Sequence, residues 1–102
     1  MRIYFFDNNI EKFIVTLDVS TRARVIKVIE LLEKYGNDLK TPHSKSLGEG
    51  LFELRVLGTK HIRIIYTYWK DGACMLHAFV KKTNKISKKD IDYAKKLKKC
   101  LQ

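Results

Sequence analysis

The chain lacks the features that would place it in a membrane or send it for export. None of its apolar runs approaches the ~20 residues of a membrane-spanning helix. The N-terminal stretch MRIYFFDNN is too short, and becomes polar too quickly, to be a signal peptide. We therefore expect a cytoplasmic protein that makes no contact with a membrane.

Side chains that hold metals or cofactors are also scarce. Cys74 and Cys100 do not have metal-ligand spacing, and a lone strand cysteine in a reducing compartment is usually a small buried apolar residue. His43, His61 and His77 form no i, i+4 pair and have no flanking cysteine pair. The chain also has no glycine-rich phosphate loop. The sequence therefore predicts no metal and no other cofactor.

Acidic residues are few in comparison with basic ones. The 102 residues include 21 Lys and Arg but only 11 Asp and Glu, so the net charge is +10. A field of this sign attracts polyanions, which makes nucleic acid or an acidic protein the expected partner. A chain of this length forms one domain with an apolar core, and we expect one site on it.

Apolar periodicity predicts an α+β domain with an N-terminal strand, a two-helix hairpin, a three-stranded antiparallel meander and a C-terminal helix. The first strand, RIYFF, leads into a helix capped by Asp7 or Asn8. A second helix runs from Thr21 to Tyr35 and ends at Gly36. These two helices form the hairpin.

The rest of the chain supplies the meander and the last helix. Residues 37–50 contain the only proline and are predicted to be one long loop, with His43 in solvent. Turns at Gly58 and at Asp71–Gly72 separate three strands. Ser87 caps the last helix. The predicted strands are LFELRVL, HIRIIYTYW and ACMLHAFV.

Two arginines are predicted to face each other across the first turn of the meander. The period of two along LFELRVL turns Glu53 and Arg55 away from the two-helix core. A turn symmetric about Thr59 sets Arg55 opposite Arg63, with their Cβ atoms ~5 Å apart. Opposed cations repel, so the pair needs either a bound anion or neutralisation by Glu53 and water. The pattern leaves both alternatives open.

The second turn is predicted to bring a lysine to the same patch. A two-residue turn at Asp71–Gly72 places Arg63 across from Val80 and makes Lys82 its diagonal neighbour. Lys81 then flanks the patch. Arg55, Arg63 and Lys82 would thus converge on one phosphate-sized spot of the sheet.

The same register places His77 opposite Tyr66, on the side of the two-helix core. This favours a hydrogen-bonded core histidine, although a turn one residue longer would reverse its face. The lysines of the last helix are predicted to form a solvated face; they are Lys88, Lys89, Lys95, Lys96, Lys98 and Lys99.

The element order and three segments resemble the RelE/ParE superfamily of bacterial toxins, and within it the phage-type HigB toxins. The segments SLGEGLFELR, HIRIIY and HAFVKKTNKIS follow that pattern in order and spacing, and the resemblance is specific over residues 47–85. The resemblance implies the toxin of a type II toxin–antitoxin pair, a metal-free endoribonuclease that cuts mRNA in the ribosomal A site. It also implies a cognate helix-turn-helix, HigA-like antitoxin as partner, with DNA contacted only through the antitoxin complex.

The resemblance assigns catalysis to Arg55, Arg63, Lys81 and Lys82. The neighbouring 2′-OH of RNA can itself attack the phosphorus, so the enzyme must supply charge for the phosphorane and a proton for the departing oxygen. Arginine forks suit the first task and a lysine suits the second. Glu53 is a candidate base. The residues expected to bind RNA are Lys60, His61, Lys85, Glu53 and His77.

Two other functions fit a chain with this resemblance. One is a catalytically silent RelE-fold module that binds only its antitoxin and nucleic acid, and the other is a ParE-like gyrase inhibitor. A protein that only blocks another protein does not need three cations directed at one phosphate-sized spot. The basic patch therefore favours the nuclease.

Overall fold

A computed structural model describes residues 1–58 and 61–101 of the chain. None of the helices within these ranges is long and apolar enough to cross a membrane. The order of helices and strands confirms the predicted α+β layout. The elements are β1 (Arg2–Phe5), α1 (Asn9–Val15), α2 (Val19–Tyr35), a 3-10 turn (Gly36–Asp38), β2 (Ser44–Gly48), β3 (Leu51–Arg55), β4 (Ile62–Trp69), β5 (Gly72–Val80) and α3 (Lys88–Lys99).

The described strands form one five-stranded sheet in the order β1-β5-β4-β3-β2. The pairs β2–β3, β3–β4 and β4–β5 are antiparallel, while β1 lies parallel to β5. Strands β1 and β5 approach closely at Gly72, where an added Cβ would lie 1.8 Å from the Arg2 carbonyl oxygen. A side chain at this position would therefore collide with the backbone of β1.

Helices cover both faces of the sheet. The first apolar cluster joins the α1–α2 hairpin to one face, where Val25 and Leu32 pack with Leu54 and Ile64. The second cluster joins α3 to the other face; it includes Ile65, Leu76, Phe79, Ala94 and Leu97. Glu53 and Arg55 lie on the α3 face, turned away from the two-helix core as predicted.

The predicted long loop at residues 37–50 is wrong in part, because it contains the edge strand β2. This strand pairs antiparallel with β3, and the buried Ser44 hydroxyl lies 2.6 Å from the Tyr66 hydroxyl. His43 is half-buried rather than in solvent. The sequence SKSLG gave no signal because an edge strand can be short and polar, without the apolar alternation of a central strand.

The predicted register between β3 and β4 is confirmed, since Arg55 pairs with Arg63. The register between β4 and β5 is wrong at its turn. Trp69 pairs with Gly72, so the two-residue turn is Lys70–Asp71, with Lys70 at a φ of 53°. Gly72 is the first residue of β5 and does not belong to the turn.

A β-bulge changes the register a second time. The pairing shifts between Ile65 and Tyr66, which leaves Leu76 as an extra residue in β5. His77 consequently pairs with Ile65 instead of Tyr66, and its side chain contacts α3 instead of the two-helix core. The prediction of a core histidine against Tyr66 is therefore wrong.

Candidate functional site

Arg55 and Arg63 share one carboxylate on the α3 face of the sheet. Arg55 Nε donates a 2.8 Å hydrogen bond to Glu53 Oε1. Arg63 Nε lies 3.4 Å from Glu53 Oε2, within ion-pair distance but not aligned for a hydrogen bond. Their side chains are 28%, 11% and 4% exposed for Arg55, Arg63 and Glu53 respectively. A nearly buried carboxylate thus holds two opposed guanidinium groups.

This geometry explains how two arginines can face each other across a hairpin. Glu53 neutralises one of the two positive charges. This was one of the two alternatives that the sequence left open, the other being a bound anion. Arg55 contacts Glu53 through Nε, and within residues 1–58 and 61–101 its terminal nitrogens have no hydrogen bond or ion pair, so the partly exposed guanidinium can bind a ligand. Arg63 is held further, because its Nη1 donates to the Ile62 carbonyl at 3.0 Å. The arrangement orients a guanidinium fork for an anion.

The lysine next to the arginines is Lys81 rather than Lys82. Arg63 pairs with Phe79, not with Val80, so its diagonal neighbour on β5 is the residue two positions after Phe79. The Lys81 N–H donates to the His61 carbonyl at 2.7 Å, which continues this register beyond the strand. The structure therefore corrects the predicted convergence of Lys82 with the arginines. Lys82 is exposed on the adjoining loop.

The loop that follows β5 borders two clefts. One, of about 200 Å³, is lined by His61, Lys81, Lys82, Thr83 and Asn84. The other, of about 280 Å³, lies on the side of α3 and includes Lys81, Lys82, Lys85 and Asp90. His61 and Lys85, both predicted to bind RNA, thus lie with the two lysines. Lys60 is outside the described residues.

His77 forms a second polar pair on the same sheet face. Its Nε2 lies 2.7 Å from Asp90 Oδ1 at the start of α3. The ring stacks on Phe79 with centroids 4.8 Å apart, and Tyr93 contacts it edge-on at 4.9 Å. Because Phe79 pairs with Arg63, the His77–Asp90 pair is continuous with the arginine cluster.

Sequence reasoning missed Asp90 and Tyr93 as neighbours of His77. The only signal for Asp90 was local: it stands three residues after Ser87, whose hydroxyl accepts a hydrogen bond from the Asp90 N–H and donates one to Asp90 Oδ2. Nothing in the spacing indicated that the same carboxylate also reaches β5. The pair joins the N-terminus of α3 to the sheet.

Asp90 makes the stability of this junction depend on pH. Burial raises its pKa, but hydrogen bonds from Ser87 and His77 outweigh burial and leave the pKa below its ordinary value of 3.8. A depressed folded-state pKa stabilises the protein above that ordinary value, and the contribution is lost as the pH falls through the folded-state pKa.

We predict that Asp90→Asn lowers the thermal midpoint at pH 7, and that the difference from the native chain shrinks toward zero as the pH falls below 3.8. Thermal unfolding followed by circular dichroism across this range measures the effect. The matched control is Asp92→Asn, which changes an exposed carboxylate on the same helix. An Asp90→Asn difference that is constant with pH would contradict the assignment.

The fold and this face define a small α+β domain whose sheet carries an arginine pair beside a lysine-rich loop. Residues 12–99 match the sequence profile of a protein family described as phage-derived protein Gp49-like (DUF891). The chain belongs to this family, which is a toxin-like family in the broad RelE/HigB context. No match to the chain was found among curated proteins.

Proposed function

We propose that this protein is the toxin of a type II toxin–antitoxin pair, and that it cuts mRNA on the ribosome and so inhibits translation. One observation carries the proposal: the nearly buried Glu53 hydrogen-bonds Arg55 Nε and forms an ion pair with Arg63, and the strand register places this pair beside Lys81. Membership of a toxin-like family supports it. The net charge of +10 suits a substrate of linked phosphates.

The reaction needs no nucleophile from the protein. The 2′-oxygen of the substrate forms a bond to phosphorus, and the bond from phosphorus to the 5′-oxygen breaks. The products are a 2′,3′-cyclic phosphate and a free 5′-hydroxyl. One proton leaves the 2′-hydroxyl and another reaches the departing 5′-oxygen, so the protein's part is to position charge and to transfer protons.

Arg55 and Arg63 take the role of stabilising the phosphorane. The terminal nitrogens of Arg55 bind its non-bridging oxygens as negative charge develops there. Glu53 fixes the orientation of the fork before the substrate arrives, which avoids reorganisation during the reaction. Because Glu53 already contacts both guanidinium groups, it acts as a positioning residue and not as the base.

Proton transfer falls to Lys81, the lysine that the strand register makes the diagonal neighbour of Arg63. Its Nζ donates a hydrogen bond to the Asn84 carbonyl at 3.2 Å. When substrate binds, Nζ leaves this carbonyl and donates to the 5′-oxygen of the substrate instead. The arginine cluster itself offers no free base. Cleavage therefore depends on the ribosome to align the 2′-hydroxyl, and naked RNA is cut slowly.

The proposed partner that silences the toxin is a helix-turn-helix antitoxin of the HigA type. An acidic segment of this antitoxin covers the basic face, and DNA is bound only through the complex. The proposed compartment is the cytoplasm, where translating ribosomes are found.

Induced expression of the native chain and of two lysine variants tests the proposal. We expect the native chain to arrest growth and to produce mRNA ends inside translated frames. Lys81→Ala should slow cleavage about a hundredfold, as loss of a general acid does. Lys82→Ala, its matched neighbour, should have a much smaller effect. The reverse order would contradict the role of Lys81, and a native chain that arrests growth without any cut in translated mRNA would exclude the proposed activity.

A further inference from the structure

A third cleft, of about 300 Å³, lies between α2 and the end of β3, apart from the lysine-rich loop. Its apolar lining includes Val28, Leu31 and Leu57. Leu57 is 48% exposed, so part of its side chain is open to a ligand in the cleft. The cleft therefore offers an apolar surface that a flat, uncharged part of a ligand can cover.

Basic residues complete the lining of this cleft. Arg24 and Lys27, one helical turn apart on α2, contribute to it together with Arg55 and His43. No acidic residue is among the side chains that line it within the described chain. Arg55 also borders this cleft at the end of β3, while its guanidinium is bonded to Glu53 on the α3 face, so a strand that joins the two sites passes around the end of β3.

His43 contributes an imidazole ring to the wall of the cleft. Its backbone is fixed, because its carbonyl accepts a 2.8 Å hydrogen bond from the Arg55 N–H. Its Nδ1 is buried and has no hydrogen-bond partner within the described part of the chain. A buried polar atom left unpaired is costly, and an imidazole nitrogen can donate or accept according to its tautomer. Because Nδ1 has almost no accessible surface, the polar edge of a ligand would reach it only when the imidazole ring turns toward the cleft.

We propose that this cleft binds one base of an RNA strand whose phosphate lies at Arg55. The apolar side chains cover the face of the base, His43 hydrogen-bonds its edge, and Arg24 and Lys27 contact the adjoining backbone. This proposal rests on the proposed function and adds to it a site for base recognition. Single-stranded RNA is read in this way, by covering the faces of splayed bases and hydrogen-bonding their edges.

The size of the cleft suits a single base. Its volume of about 300 Å³ is at the lower limit of pockets that bind small molecules. The position beside Arg55 also fits a nucleotide, because a base and its phosphate are covalently joined.

Cut-site mapping with His43→Ala and Leu57→Ala tests the proposal. The native chain should show a base preference at one position near the cut. His43→Ala should weaken this preference about tenfold, the effect of losing one hydrogen bond to the base. Leu57→Ala should lower cleavage several-fold at all sites without changing the preference. Val19→Ala is the matched control, because Val19 is another exposed apolar residue, 76% exposed, on the start of α2.

The outcomes separate this inference from the proposed function. If the native chain cuts mRNA and both variants keep its rate and base preference, the base site is excluded while the nuclease remains. If the variants lose only their neutralisation by the antitoxin, the cleft belongs to a protein partner and the inference is wrong. If the native chain does not cut mRNA, the inference is tested by binding. The affinity of a fluorescein-labelled single-stranded RNA heptamer is then measured for the native chain and for each variant. Equal binding by the native chain and by folded His43→Ala and Leu57→Ala would then overturn the inference.

Discussion

Replacing Arg55 with alanine should slow mRNA cleavage about a hundredfold and abolish growth arrest. The reason is that loss of one preorganised charge contact to a phosphorane costs ~3 kcal/mol of activation free energy. Arg63→Ala should act in the same direction, because Arg63 shares the carboxylate that orients Arg55. Arg55→Lys should restore only part of the rate, since a point charge cannot reproduce a two-pronged fork.

The measurement is the rate of mRNA cleavage at mapped sites after induction, together with growth. Arg2→Ala is the matched control, because it removes an exposed arginine from β1 at the far edge of the sheet order. Circular dichroism must show that each variant is folded at the assay temperature. Folded Arg55→Ala and Arg63→Ala chains that cut mRNA at the native rate would move the active site away from this pair.

Glu53→Gln should lower the free energy of unfolding by about 3 kcal/mol, because it leaves two facing guanidinium groups without a buried counter-charge. The side chain of Glu53 is 4% exposed and that of Arg63 is 11% exposed, so water can replace little of the lost interaction. Urea unfolding at pH 7 measures the change. Glu49→Gln is the matched control, since Glu49 forms an exposed ion pair with Lys95 and its loss should change stability little.

The same variant distinguishes a positioning role for Glu53 from a role as base. A glutamine oxygen can still accept a hydrogen bond from Arg55, so folded Glu53→Gln should keep part of the cleavage rate at a temperature below its unfolding. Loss of all cleavage in a folded variant would instead indicate that the carboxylate takes a proton. An unchanged free energy of unfolding would contradict this prediction. It would mean that the desolvation cost of the buried carboxylate equals the stabilisation from its two ion pairs.

The sequence by itself determined the features that depend on short-range rules. The order of helices and strands, apart from β2, follows from apolar periodicity, and Ser87 caps α3 because its hydroxyl reaches the N–H three residues later. The pairing of Arg55 with Arg63 follows from a short hairpin turn and a side-chain period of two. These features need only neighbouring residues, so the pattern was enough to predict them.

Only the tertiary structure decided which polar groups meet. The turn at Lys70–Asp71 and the bulge at Leu76 set the register of β5. This register places Lys81, and not Lys82, next to Arg63, and it brings His77 into contact with Asp90. A shift of one residue in the strand register moves each side chain to the opposite face of the sheet. Because α3 and the two-helix hairpin pack on opposite faces, only one register places the right side chains against each. The pairing of β2 with β3 likewise brought His43 beside Arg55. Such contacts join residues far apart in the chain, and their energies depend on the whole packed sheet.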